Sequence, residues 1–392
     1  MSSTCVHCGN NPTNHGLAWF DQTLSILMTK VHRRVSRWAI MRAGVKIADY
    51  CSPALMDLLS AMRLLRWNDK KKNAPTERGR VLWKEAEARG YKIRSAKIFG
   101  KYIDLYEAKK GGKKFTYLSL PVQDTDRDAI WWMDDKMLVK KKLQAAGIPA
   151  PRGGYFSSFP SALAAFAKLD KPVIIKPRVG SRGRHTTTNI FTEEELKQAF
   201  TVGKKLCHYV IMEEHLVGSV YRGTVLDGEV IGILRGDPAR ITGDGTHTIS
   251  ELVEIKNKNK NPHVKDVSLG DQHAHFMARS GYAFDTILPK GKTIDLLEKI
   301  GISYGGHSAE VTPTTHPKIF TYLKRAANII EYPIIGFDFI IEDIAKDPDT
   351  QKWGIIEANS APFINLHHDP IEGTPINAAG KVWDYVEKTR RL

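Results

Sequence analysis

This 392-residue sequence has few cysteines, only four, and it contains no long apolar run and no secretory pattern at its start. Four cysteines in such a length do not indicate a disulfide framework, so a reducing, cytoplasmic environment is expected. No apolar run approaches the roughly 20 residues that a membrane span needs. The opening Met-Ser-Ser-Thr-Cys does not have the charged-then-apolar pattern of a signal peptide. An apolar fraction of 42% and a charged fraction of 26% are typical of a globular protein, long enough here for two or three domains.

The net charge of +15 favours an anionic partner. A lysine and arginine excess is compatible with nucleic acid, anionic lipid, a nucleotide or an acidic substrate. The excess is not concentrated, because Lys70–Lys72 and Lys140–Lys142 are short runs. No recognisable nucleic-acid-binding motif is present, so the charge alone gives little support for a nucleic-acid partner.

The N-terminal residues contain half of a zinc site, Cys5-x-x-Cys8 followed by His15. A complete site needs a second pair of ligands at metal spacing, and nearby only Cys51 remains, so zinc stays open at this point.

Two amphipathic helices are predicted in the same region, at residues 24–42 and 53–67. The first has a basic side, and a basic amphipathic helix can lie on a membrane. Packing onto its own domain, or onto a second copy in a homo-oligomer, is the favoured reading.

The last third of the chain has two apolar strands that carry acids. Residues 354–356 predict a strand that delivers Glu357 and Asn359, which point to the same face because strand side chains alternate. Asp338 is the lone acid within an apolar run, where an unpaired charge is costly. Each acid alone can be a satisfied core acid. Three hard oxygen ligands on adjacent strands favour Mg²⁺.

Lysines and glycines further upstream favour an anionic ligand. Lys136 opens a predicted helix, where anions rather than cations are favoured, so it either serves an anion or is solvated. Lys176 ends the strand at residues 171–177. The next strand begins at Thr186, so the chain is expected to form a hairpin. Glycines at its tip can expose backbone N–H groups that bind phosphates, or they can be simple turn glycines. The candidate residues of that tip are Gly180, Ser181 and Gly183.

Two further local signals follow. Residues 209–218 predict a strand that runs into a hinge. Asp227-Gly228 predicts a tight hairpin between residues 221–226 and 229–235.

Together these motifs resemble the ATP-grasp ligases over about residues 130–392. The resemblance implies an α+β fold in which two subdomains grip ATP. It implies phosphate binding by Lys136 and Lys176 under the glycine-rich hairpin. It also implies an adenine-binding hinge and a Mg²⁺ site, with Mn²⁺ as an alternative ion. The hinge would consist of Glu213, Glu214, His215 and Leu216, and the metal ligands would be Asp338, Glu357 and Asn359.

A narrower likeness is visible in residues 235–253, 305–310 and 357–375. These resemble the ATP-grasp region of cyanophycin synthetase and of the fused glutamate–cysteine ligase/glutathione synthetase. The other catalytic halves of those enzymes do not appear in the sequence, so a stand-alone ATP-grasp unit is expected. Two departures concern substrate contacts: Val220 replaces a frequent acid, and Asn365 replaces an arginine.

The resemblance implies an ATP-dependent carboxylate–amine ligase that forms an amide or peptide bond through an acyl phosphate. The basic charge favours an amino acid or acidic peptide as substrate. Lys176 is a candidate for neutralising phosphate charge, Arg235 for stabilising the developing oxyanion, and Arg222 and Arg240 are its substitutes. The alternatives are a non-catalytic nucleotide-binding regulatory module and a basic nucleic-acid-associated protein.

Four regions are predicted. They are a helical N-terminal region (1–73), a small α/β unit (74–130), the N-terminal ATP-grasp subdomain (131–217) and the C-terminal subdomain (218–392).

Overall fold

In the computed structural model the described residues are 5–8, 13–35, 54–122, 129, 132–178 and 184–390. The predicted α+β class is confirmed: three sheets of antiparallel strands are covered by helices. None of the described helices combines the length and the apolar character required to cross a membrane.

The first sheet and the helix that packs against it form the N-terminal unit, which follows helix α1 in the chain. The sheet has the order β1-β2-β3-β4 and packs against α2, which begins after the N-cap Thr76. The elements are α1 (His15–Val35), β1 (Leu65–Asn68), α2 (Glu77–Ala88), β2 (Lys92–Ile98), β3 (Lys101–Lys110) and β4 (Lys113–Leu118).

The predicted helix at residues 53–67 is partly wrong. Helical structure covers residues 54–61, and the chain then turns at Arg63, whose φ of 60° is left-handed. A left-handed residue ends a helix. Leu65 therefore begins β1 and pairs with Ile98 instead of continuing the helix.

The second sheet has the order β5-β8-β6-β7. As predicted, strand leads to strand between β6 and β7. A capping box at Thr192 opens α5. The elements are α3 (Lys136–Ala145), β5 (Gly153–Phe156), α4 (Phe159–Phe166), β6 (Val173–Pro177), β7 (Thr187–Ile190), α5 (Glu193–Lys204) and β8 (Val210–Glu214).

The third sheet has the order β11-β10-β9-β13-β14, with β12 also paired to β10. The elements are β9 (Ser219–Leu226), β10 (Glu229–Thr242), α6 (Ile249–Asn259), α7 (Asp271–Ala278), β11 (Thr293–Ile300), β12 (His307–Glu310), α8 (Pro317–Ile330), β13 (Ile334–Ile341) and β14 (Gly354–Asn359). The predicted hairpin between β9 and β10 is confirmed. Its turn residues Asp227 and Gly228 have φ values of 51° and 76°, as a type I′ turn requires.

The two faces of the third sheet have different roles. Helix α8 covers one face, where Leu323 packs so closely on Gly223 that a Cβ there would lie 2.4 Å from Leu323 Cδ1. Asp338 and Arg222 pair across β13 and β9 on the opposite face. At this pair of strands, α8 therefore packs on the face opposite that of Asp338 and Arg222.

Two elements cross the predicted domain boundaries, which remain predictions. Strand β1 precedes residue 74 but pairs with β2. The last helix, α9 (Ala378–Arg390), packs against α2, and Trp383 Nε1 donates a hydrogen bond to Leu82 O at 3.0 Å. The end of the chain therefore closes the core of the N-terminal unit.

Candidate functional site

The acidic part of the candidate site lies where β13 and β14 pair. Asp338 is directly opposite Glu357 in the register. Asn359 lies on the same face as Glu357, as the strand period predicts, and its Nδ2 donates to Glu357 Oε1 at 3.3 Å. The three oxygen-bearing side chains predicted as metal ligands are therefore neighbours on one face.

Each carboxylate in this group already has a cationic partner. Arg222 Nε and Nη2 donate to the two oxygens of Asp338 at 2.6 and 2.7 Å. Lys136 Nζ lies 3.3 Å from Glu357 Oε2. Both acids are thereby neutralised without a metal ion.

The pKa values of the two carboxyls are shifted in opposite directions. Burial raises the pKa of Asp338 to about 6, although Arg222 opposes the shift, and the nearby charge of Glu357 adds to it. Burial also acts to raise the pKa of Glu357, but Lys136, Asp338 and Lys176 together bring it below its usual range. At neutral pH both acids are ionised, and Asp338 is the first to take up a proton.

Two lysines and one glutamate form a buried cluster next to this group. Lys176, on β6, contacts Glu213 Oε1 at 2.5 Å, and Lys140, on α3, contacts the other oxygen of the same carboxylate. Burial lowers the pKa of Lys140 to about 7 despite Glu213. Lys176 is close enough to Glu357 to lower its pKa, so the lysine cluster and the acids are one continuous site.

A second ion pair holds α3 in place. Asp135 caps the helix by accepting from the backbone N–H groups of Met137 and Leu138. Arg178, immediately after β6, donates to the same carboxylate at 2.7 Å. The pair is buried on both sides. It fixes the position of Lys136, the first residue of α3, relative to Lys176.

The predicted hinge residues lie at the end of β8 and just beyond it. Glu213 points into the lysine cluster, whereas the buried Glu214 pairs with the exposed Arg152 and with Lys352. His215 Nδ1 is buried without a hydrogen-bond partner among the described residues, and Leu216 is buried. The predicted hairpin residues Gly180, Ser181 and Gly183 lie outside the described residues.

Arg235 is not brought to this group. In the register Arg235 is opposite Tyr221, whose ring stacks on Phe339 in the core, and residue 234 is opposite Arg222. Arg235 therefore lies on the other face from Asp338 and pairs with Asp237 at 2.9 Å. The assignment of Arg235 to the oxyanion stays a prediction, and Arg222 is the arginine that contacts Asp338.

Some contributing residues were missed in the sequence. Lys140 is one helical turn after Lys136, so the i, i+4 spacing was a usable signal. Asp135 could have been recognised as an N-cap residue before the apolar periodicity of α3. Arg178 has no local signal, because its partner Asp135 lies 43 residues earlier.

No family model matches the sequence. Among curated proteins, cyanophycin synthetase of Synechocystis sp. is 33% identical over 268 residues, which is 64% of this chain and 30% of that protein. The glutathione biosynthesis bifunctional protein GshAB of Clostridium perfringens is 30% identical over 262 residues, 64% of this chain and 34% of that protein. The chain thus spans about a third of the length of these relatives.

A solved structure matches over more of the chain. A bifunctional glutathione synthetase from Pasteurella multocida superimposes with a TM-score of 0.56 and 25% identity, covering 79% of this chain and 43% of that one. The sequence matches are to the two groups of proteins that the motifs resembled, and this structural match is to one of them.

Proposed function

Because this chain belongs to the ATP-grasp ligases related to cyanophycin synthetase and GshAB, we propose that it joins a carboxylate to an amine at the expense of ATP. The carboxylate oxygen attacks the γ-phosphorus, ADP leaves, and the amine nitrogen then displaces phosphate from the acyl phosphate. The product is an amide, ADP and inorganic phosphate.

The observation that carries this proposal is the pairing of each acid with a cation beside two buried lysines. Asp338, Glu357 and Asn359 would hold Mg²⁺ through the hard oxygens that this ion prefers. A bound Mg²⁺ supplies charge neutralisation along the phosphates. Lys136 and Lys176 would bind phosphate oxygens, and Arg222 would stabilise charge on the reacting carboxyl group. The donor set thus fits both the ion and the nucleotide.

The substrate end of the proposed site is the loop after β14. Phe363 is 52% exposed. The centroid of its ring lies 5.5 Å from Arg222 Cζ and 5.9 Å from Arg78 Cζ. Asn365 Oδ1 is buried without a partner among the described residues. The two arginines favour a substrate with a carboxylate, and the unpaired oxygen of Asn365 favours a substrate that donates a hydrogen bond from an N–H group. An amino acid or an acidic peptide has both groups.

The direct test is ADP release from the full chain with ATP, Mg²⁺ and pairs of carboxylate and amine substrates. Amino acids and glutamate- or aspartate-containing peptides form the first panel, and mass spectrometry identifies a product lighter by one water than its two precursors. ADP release that requires both substrates supports a ligase. Nucleotide binding without stimulated ADP release by any pair would instead support the regulatory-module alternative.

Metal affinity should depend on pH through Asp338. The pKa of this carboxyl without a metal is about 6, so at pH 5, but not at pH 7, a metal ion must displace a proton from it. The affinity for Mn²⁺ should therefore fall roughly tenfold from pH 7 to pH 5, since a protonated carboxyl does not bind a metal. Electron paramagnetic resonance of free Mn²⁺ measures this without nucleotide. Asp338→Asn should bind weakly at both pH values, and an equal tenfold dependence in that variant would contradict the assignment.

A further inference from the structure

The N-terminal segment meets the turn before β7 at a cluster of two thiols and two imidazoles. The ligand atoms of Cys5, Cys8, His15 and His185 all lie within 4.8 Å of one another. Within the described ranges, no other group of three or more His, Cys, Asp or Glu side chains converges in this way. The sequence alone showed three of these residues and not the fourth.

The distances between the ligand atoms match a tetrahedral metal site. Cys8 Sγ lies 3.2 Å from His15 Nε2 and 3.4 Å from His185 Nε2, and Cys5 Sγ lies 3.5 Å from His185 Nε2. A Zn²⁺ ion with its usual bond lengths to sulfur and nitrogen separates such ligands by about 3.5 Å. These three separations are thus close to those between the ligands of a tetrahedral Zn²⁺ site.

The orientation of His185 also favours a metal. Its Nδ1 lies 2.7 Å from Val202 O, and because a carbonyl oxygen only accepts, this nitrogen carries the proton. Nε2 is then left with a lone pair that points at both sulfurs. A metal-binding histidine usually donates its other N–H to an outer carbonyl or carboxylate in this manner.

Hydrogen bonds alone do not account for the cluster. His185 Nε2 has a single lone pair but contacts both Cys5 Sγ and Cys8 Sγ, so only one of the two thiols can donate a hydrogen bond to it. Cys8 and His185 are 0% and 1% exposed, so water does not separate these groups. A cation bonded to all four atoms satisfies every contact.

We infer that Cys5, Cys8, His15 and His185 form a structural Zn²⁺ site. Four protein ligands leave no open position, which is typical of a structural rather than a catalytic zinc site. The backbone N–H of His185 also donates to His7 O at 3.1 Å. The ion therefore fastens the N-terminal segment to the chain just before β7.

The test uses the full chain, purified without chelator and with any histidine tag removed, and measures zinc by mass spectrometry. About one ion per chain is expected for a closed four-ligand site, and less than about 0.2 for Cys8→Ser or His185→Gln. Cys207→Ser, which removes another buried thiol, should retain the ion. An absence of zinc even after incubation with equimolar Zn²⁺, or equal loss in the Cys207 variant, would overturn the inference.

A spectrum of the wild-type chain keeps the test decisive if the variants fail to fold. Co²⁺ substituted for the native ion should give the intense visible bands of a tetrahedral site and a thiolate-to-cobalt charge-transfer band in the near ultraviolet. A weak octahedral spectrum without charge transfer would show a site that lacks Cys5 and Cys8. Neither measurement depends on ligase activity, so the zinc site and the proposed function stand or fall separately.

Discussion

Replacing Glu357 by glutamine is expected to reduce the rate of ADP formation at least about a thousandfold, because a bound metal stabilises the charged transition state by several kcal/mol. Glutamine keeps the size of the side chain and an oxygen that can accept from Asn359 Nδ2. It removes the negative charge that a divalent cation needs and that Lys136 neutralises. The measurement is initial rate of ADP release at saturating ATP and Mg²⁺, with the substrate pair that the screen identifies.

The matched control is Glu342→Gln. Glu342 is exposed and follows β13 directly, so this variant has the same net charge as the Glu357 variant. It should keep wild-type activity, and both variants should have far-ultraviolet circular dichroism like that of the wild type. If the Glu357 variant retained more than about a tenth of the activity, a several-kcal/mol metal contribution at this residue would be ruled out.

Glu213→Gln should destabilise the fold by about 3–5 kcal/mol, because removing one partner leaves buried charges uncompensated. The two ammonium groups of Lys140 and Lys176 contact this single carboxylate, and the side chains of Lys140 and Glu213 are each 2% exposed. Thermal and urea unfolding measure the loss. Glu214→Gln is the control: its partner Arg152 is 63% exposed, so water can solvate the cation and the loss should be much smaller.

The destabilised Glu213 variant should recover stability as the pH rises. Burial brings the native pKa of Lys140 to about 7, compared with 10.5 for the unfolded chain. Between these values the unfolded state binds more protons than the native state, so the free energy of unfolding increases with pH. Loss of Glu213 lowers the native pKa further and widens this window on its acidic side. A smaller gain between pH 6 and pH 9 in the variant than in the wild type would contradict the cluster's electrostatics.

Side-chain periodicity predicted much of the fold and part of the site. Glu357 and Asn359 were placed on one face from the strand period alone, and the turn at Asp227-Gly228 from turn chemistry alone. Both depend on neighbours in sequence. The ATP-grasp resemblance supplied the pairing of distant elements, such as Lys176 with the acids, that local patterns do not contain.

The remaining features depend on register and topology. The face on which Arg235 lies depends on a β-bulge between Val230 and Gly232, which shifts the pairing of β10 with β9 by one residue beyond the predicted turn. A shift of one residue moves a side chain to the opposite face. His185 was missed because it lies 177 residues after Cys8, on a turn whose position relative to the N-terminus only the folded chain defines. Leu65 was placed in a helix because the turn at Arg63 has no glycine to indicate it.

The ion pair between Lys136 and Glu357 gives the proposed reaction a thermodynamic coupling. If Glu357 held a divalent cation, Lys136 would become available for a phosphate, and if Lys136 held a phosphate, Glu357 would become available for the cation. Each ligand alone has to break the pair and leaves one charge without its partner, whereas both together exchange one pair for two. The metal ion should therefore raise the affinity for the nucleotide, and the nucleotide should raise the affinity for the metal ion by the same factor.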